Sequence, residues 1–222
     1  MHSAWEYRFF AERHPFKNKI LAVETRWHKP PINTIKLNCD GAFSSTSNAA
    51  GMGGCFRNSN GDWILGYQKR THAASPIHAE LLALLEGLRI ALDFRDTNLE
   101  IETDSTNVIK LLHEEGTNFQ NVILECRWLM HRLKLPILRH NFREGNEVAH
   151  RLAKEALRKD PSDKCFYLAR PPLFVQEEIQ KDKQDSCNSL RTMSTNVCNF
   201  LATLGNSNAL NSMSNSCNSF VK

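Results

Sequence analysis

Residues 35–43 read IKLNCDGAF, and the alternation in this stretch decides the fold. Ile35, Leu37 and Cys39 fall on one side of an extended chain, Lys36, Asn38 and Asp40 on the other. That is the two-residue period of a strand with two unlike faces. The polar face ends in a carboxylate, Asp40, with Gly41 immediately after it.

Working outward, residues 49–58 (AAGMGGCFRN) and 62–71 (DWILGYQKRT) read as two further strands joined across Asn58, Ser59, Asn60 and Gly61, a turn-rich cluster that predicts a hairpin. Residues 75–88 (SPIHAELLALLEGL) open with Ser75 as N-cap and Pro76 at the first helical position, and Leu81, Leu84, Leu85, Leu88 and Leu92 follow at helical spacing. Ala83, Gly87 and Ala91 lie on the same stripe as Glu80, so this helix can pack low over a sheet. Residues 99–105 (LEIETDS) alternate as a strand that closes in Asp104, after which Ser105 caps a short helix through Leu112. A strand between two helices predicts parallel pairing.

Residues 119–134 predict another helix, whose apolar run, including Trp128 and Met130, is expected to be core. Residues 136–142 (PILRHNF) predict a short strand. In 145–159 (GNEVAHRLAKEALRK), Val148, Ala149, Leu152, Ala153 and Ala156 predict a last helix. The order is βββαβααβα, an α/β fold with a five-stranded mixed sheet in strand order 3-2-1-4-5, flanked by helices. Three segments follow: an N-terminal extension or linker over 1–33, a domain over 34–160, and a tail over 161–222. From about residue 185 the tail is rich in Asn and Ser and short of apolar residues, so it is expected to lack order.

Two strand ends and a helix start can bring Asp40, Glu80 and Asp104 together from distant sequence, which is what binding a pair of divalent cations requires. Each carboxylate also has a plain alternative: a turn start at Asp40, a dipole partner at Glu80, a cap at Asp104. Their joint order favours the site. The three glycines Gly51, Gly53 and Gly54 belong to a strand rather than a phosphate loop, and suggest a bulge or the close approach of a nucleic-acid backbone. Glu100 and Glu102 share a strand face with Asp104 and could extend the acidic cluster, but an exposed polar face accounts for them equally well.

Bulk properties narrow the class. The chain has 222 residues, 41% of them hydrophobic, and a formal net charge of +4, compatible with a polyanionic partner but far from demanding one. Its 7 cysteines are odd in number and scattered, without metal-site spacing, which fits a reducing compartment. No signal peptide or membrane-spanning stretch is visible, so the expectation is a soluble intracellular protein, nuclear or cytoplasmic, a monomer with no membrane partner.

The motifs KLNCDGAF, HAELLALLEGLRIAL, IETDS and HNFREGNEVAHRLAKEAL, in this order over about residues 27 to 158, resemble type 1 ribonuclease H. The wording is most similar to the plant branch found in non-LTR retrotransposons and their derived relatives. This resemblance implies hydrolysis of the RNA strand of an RNA–DNA hybrid with two Mg²⁺ ions. It implies Asp40 as the ligand shared by both ions, Glu80 and Asp104 as further ligands, and His140 as an aid to proton transfer or product release. It implies nucleic-acid contacts at Gly41, Ser105 and Asn146.

One position departs from the family pattern. Where the family places an Asp one turn after Asn146, this chain has His150, a neutral imidazole that suits Mg²⁺ poorly and Mn²⁺ better. The expected enzyme is therefore impaired with Mg²⁺ and relatively rescued by Mn²⁺. Residues 113–121 (HEEGTNFQN) carry no basic protrusion for gripping substrate. A second reading stays open, in which the chain is a retroelement-derived nucleic-acid-binding module without turnover.

Overall fold

The computed structural model describes residues 19–94, 98–115, 118–160 and 164–218, with backbone alone for 215–218. Residues 1–18 of the expected linker, and 116–117 of the connection lacking a basic protrusion, lie outside them. Strand β1 spans Ile20–Thr25, β2 Thr34–Ser44, β3 Ala49–Arg57 and β4 Trp63–His72; helix α1 is Pro76–Ala91, strand β5 Asn98–Thr103, helix α2 Thr106–Leu111 and helix α3 Gln120–Arg132. After strand β6 (Ile137–His140) and a 3-10 turn (Arg143–Gly145) come α4 (Glu147–Arg158), β7 (Phe166–Leu168), α5 (Leu173–Lys183), β8 (Ser189–Ser194), α6 (Thr195–Thr203) and α7 (Ser207–Asn218).

The main sheet has six strands in the order β6-β5-β2-β3-β4-β7. Its first five reproduce the expected order, with β2, β3 and β4 antiparallel and β5 and β6 parallel to β2. The sixth strand, β7, is an added antiparallel edge on β4. On one face α1 and α3 cover a core built from Leu37, Phe56, Tyr67, Leu84, Leu88, Ile101, Ile123 and Leu129. The α1 start is as expected, with Ser75 Oγ accepting from the His78 amide and Pro76 inside the first turn.

On the opposite face α4 lies directly on β3, and glycine makes this approach possible. A Cβ on Gly51 or Gly53 would sit 2.2 Å from the α4 backbone at Ala153. The expectation of a bulge or nucleic acid at these glycines is thus corrected: the neighbour is the protein's own helix. In α3 only Ile123, Cys126 and Leu129 are buried, while Trp128 is 54% exposed, so the expected core role of Trp128 is also corrected. A 13-residue amphipathic helix buries one stripe, and Trp128 falls off it.

The polar face of β2 is covered rather than solvated. Lys36, 1% exposed, pairs with Glu102 at 2.5 Å and with Glu100 at 2.8 Å. Asn38 Oδ1 accepts from Trp27 Nε1 at 2.9 Å and from Arg57 at 2.8 Å, and Arg57 also reaches Asp182 at 2.6 Å. Glu100 and Glu102 are therefore interior charges instead of an exposed face: Lys36 bridges the two, and Arg139 Nε stands 3.6 Å from Glu100.

The two ends of the chain differ most from expectation. Part of the expected linker forms β1, which pairs antiparallel with β8 in a separate two-stranded sheet. The stretch beyond residue 185 folds as well, and Val23, Phe142, Cys198, Leu201, Ala202, Ala209 and Met213 make a second small core. Apolar content alone does not explain this order. Asparagine side chains complete it: Asn206 Oδ1 caps α7 at the Ala209 amide, and Asn208 bonds Asn141 and Arg26. No helix among the described residues is long and apolar enough to cross a membrane.

Candidate metal and nucleic-acid site

Parallel pairing of β2 and β5 sets Asn38 opposite Glu102, so two residues further on Asp40 and Asp104 emerge side by side at the strand ends. Glu80 arrives from the second turn of α1, which can come down onto β2 because residue 41 is glycine. A Cβ there would lie 2.3 Å from the Ala79 carbonyl carbon. The Gly41 amide donates to Glu80 Oε2 at 3.0 Å and fixes its direction. Carboxylate oxygens of Asp40, Glu80 and Asp104 all lie within 4.8 Å of one another.

Three carboxylates this close cannot all ionise without a cation. Burial, then the charges of Asp40 and Asp104, push the Glu80 carboxyl up to about 10. Burial and Asp40 push Asp104 up to about 6. For Asp40, burial opposes ionisation, but the hydrogen bond from His150 and the charge of Arg143 outweigh it and hold the carboxyl below its usual range. Asp40 Oδ1 and Asp104 Oδ1 are buried with no hydrogen-bond partner among the described residues. Unmatched oxygens of this kind, on a hard-oxygen donor set with excess negative charge, fit a divalent cation.

The other expected residues fall into different places. His150 Nδ1 lies 2.9 Å from Asp40 Oδ2 and also touches Arg143 Nη1. A proton on Nδ1 that bonds Asp40 leaves that nitrogen no lone pair for Arg143, so the Asp40 contact is the one that fits the chemistry. Ser105 caps α2 by accepting from the Val108 amide. Asn146, expected at the nucleic acid, is 1% exposed. It spends its amide inside, accepting from Asn38 Nδ2 at 3.1 Å and donating to the Cys39 carbonyl at 3.0 Å. It is a tie between α4 and β2.

His140 departs from the expected mobile acid–base group. It is 6% exposed at the end of β6, its ring bonded to Asn206 Nδ2 at 2.8 Å and set edge-on to Phe142, and burial lowers it to about 4. A histidine enclosed by the C-terminal segment is a packing residue in this arrangement. The residue sequence reasoning missed is Arg143. Its Nε sits 2.5 Å from Asp104 Oδ2 and its Nη1 3.6 Å from Asp40 Oδ2. The available signal was its position, three residues before Asn146, in the connection that leads from β6 into α4.

Comparison with known proteins agrees with this geometry. Residues 38–156 match the family described as reverse transcriptase-like, a span that holds Asp40, Glu80, Asp104 and His150. An Arabidopsis thaliana protein named "Putative ribonuclease H protein" is 27% identical over 133 residues, covering 59% of this chain and 22% of its own length. The chain thus spans about a fifth of that relative. Ribonuclease H1 from Halobacterium salinarum superposes with a TM-score of 0.51 at 28% identity, over 56% of this chain and 97% of the other. LC11-RNase H1 in complex with an RNA/DNA hybrid shares the fold, with a TM-score of 0.51 at 19% identity, over 55% of this chain and 96% of the other. With a ribonuclease H fold and an acidic cluster where its strand ends meet, the chain belongs to the reverse transcriptase-like family.

Proposed function

We propose that this protein is a metal-dependent endoribonuclease that hydrolyses the RNA strand of RNA–DNA hybrids. The observation that carries the reading is the convergence of Asp40, Glu80 and Asp104 within 4.8 Å, with two buried oxygens left partnerless. Two divalent ions held by these side chains would aid the attacking water and the departing oxygen of the phosphodiester. Asp40, central and held ionised, is the residue both ions would share. A bound cation would offset the repulsion that raises both carboxyls and would favour their ionised forms, above all at Glu80, whose carboxyl is pushed up to about 10. Hydrolysis of a hybrid agrees with the matched relative's name and with the RNA/DNA hybrid bound by LC11-RNase H1.

His150 makes the fourth ligand position an imidazole. Mg²⁺ prefers oxygen, whereas Mn²⁺ accepts nitrogen, so activity is weak with Mg²⁺ and relatively rescued by Mn²⁺. The test is incubation of the purified chain with a labelled RNA–DNA hybrid in Mg²⁺ and in Mn²⁺, beside Asp40→Asn. Metal-dependent cleavage lost in the variant supports the enzyme. Hybrid binding without cleavage in either metal supports a binding module instead, a reading favoured by the guanidinium of Arg143 resting on two of the carboxylates.

A further inference from the structure

Residues 140 to 144, which lead from β6 into α4, are gripped by the C-terminal segment at nearly every position. The His140 amide donates to the Leu204 carbonyl at 2.9 Å, and its ring bonds Asn206. Asn141 Oδ1 accepts from Asn208 at 3.0 Å. Phe142 is packed into the core of α6 and α7, with the Arg191 guanidinium over its ring at 5.2 Å. The same Arg191 holds Glu144 Oε1 at 2.7 Å. Arg143 turns the other way, toward Asp104 and Asp40.

Its guanidinium takes Oδ2 of Asp104 directly and faces Oδ2 of Asp40, while Oδ1 of each aspartate stays unpartnered. A delocalised cation that is always charged thus neutralises one side of the carboxylate group and leaves the other, buried side without a counter-charge. We propose that Arg143, presented by the clamped connection, occupies one of the two cation positions of the site. The Oδ1 atoms of Asp40 and Asp104 would then be left to hold a first divalent ion, and a second would have to displace the guanidinium. This deepens the nuclease reading and rests on its metal site. The C-terminal segment becomes a positioning element that sets how readily the second ion binds.

Charge-assisted hydrogen bonds of this kind contribute enough to change an affinity about tenfold or more when they must be broken. Calorimetric titration of Mn²⁺ into the full chain tests the proposal without relying on cleavage. In the parent protein two carboxylate-dependent events are expected, the second weaker. In Arg143→Ala the second tightens about tenfold. In Arg143→Lys, which keeps the charge but loses the fork, it tightens less than in the alanine variant. In Arg191→Ala, which loosens the clamp, it shifts a few-fold in the same direction.

An unchanged second event in Arg143→Ala overturns the seat. A lysine variant that tightens as much as the alanine variant shows that the guanidinium fork, and not charge alone, holds the seat. A shift in Arg143→Ala without one in Arg191→Ala removes the clamp from the account. Titrations that are the same in the parent and in Asp40→Asn, with no carboxylate-dependent binding, refute the nuclease site itself, and the seat falls with it.

Discussion

His150 Nδ1 rests 2.9 Å from Asp40 Oδ2, so the most buried carboxylate of the site is hydrogen-bonded to an imidazole carried by the first full turn of α4. This contact places an imidazole where the family pattern has a carboxylate. It also helps keep Asp40 ionised while its two neighbours are pushed toward their neutral forms.

Replacing the imidazole with a carboxylate should therefore change metal preference. In His150→Asp, which puts an oxygen donor at the fourth ligand position, the ratio of Mn²⁺- to Mg²⁺-supported hybrid cleavage should fall about tenfold or more. Initial rates in matched buffers measure it. A ratio that stays where it was would mean that His150 does not govern the choice of ion.

The Lys36 ammonium is the shared partner of two interior carboxylates. Lys36→Met removes it, leaving Glu102 with only the amides of Asn38 and Asn141 and Glu100 with Arg139, which should lower stability by about 3 to 5 kcal/mol. Urea unfolding followed by circular dichroism would show it. A loss below about 1 kcal/mol would mean that water reaches these groups, contrary to their burial.

His140 gives a pH dependence whose sign is fixed. Burial lowers its pKa from 6.5 to about 4, so the unfolded chain takes up a proton at a pH where the folded one does not. The neutral histidine's contribution is complete above about pH 6.5 and is lost as pH falls toward 4, by about 3 kcal/mol. Glu80 and Asp104 shift oppositely in the metal-free protein, so the effect must be isolated. In EDTA, the stability difference between the parent and His140→Gln should shrink as pH drops from 7 to 4. A difference independent of pH would mean that the ring is open to solvent.

How far the sequence reached can be judged from these same residues. The alternation of Ile35, Leu37 and Cys39, and the capped leucine helix after Ser75, are local patterns, and they placed Asp40, Glu80 and Asp104 on the right elements. A two-residue period says that a strand has a polar face, but not whether water or another layer meets it. The partners of Lys36, Asn38 and Arg57 come from other elements: Trp27, before the strand, and Glu102 and Asp182, far along the chain. The tail was misjudged for a related reason. Asn206 and Asn208 look like markers of disorder by composition, yet they act as a helix cap and a cross-tie once β1 lies beside β8. Arg143 carried no periodic signal at all, since its role comes from a connection held by residues 47 and 66 positions later.

If the terminal segments are part of one cooperative unit, damage to their small core should weaken the whole. Leu201→Ala should lower the midpoint of the single unfolding transition, corresponding to about 2 to 3 kcal/mol. An early separate transition, with the main midpoint unmoved, would show that α6 and α7 melt independently of the sheet.

The central claim is that Asp40, Glu80 and Asp104 share divalent cations, and anomalous scattering from crystals soaked in Mn²⁺ tests it most directly. The account predicts a peak at about 2.0 to 2.2 Å from an oxygen of Asp40, bridged to Glu80 or Asp104 and absent in Asp40→Asn crystals. Well-diffracting soaked crystals with no peak among the three side chains, or with one that survives the substitution, would contradict it.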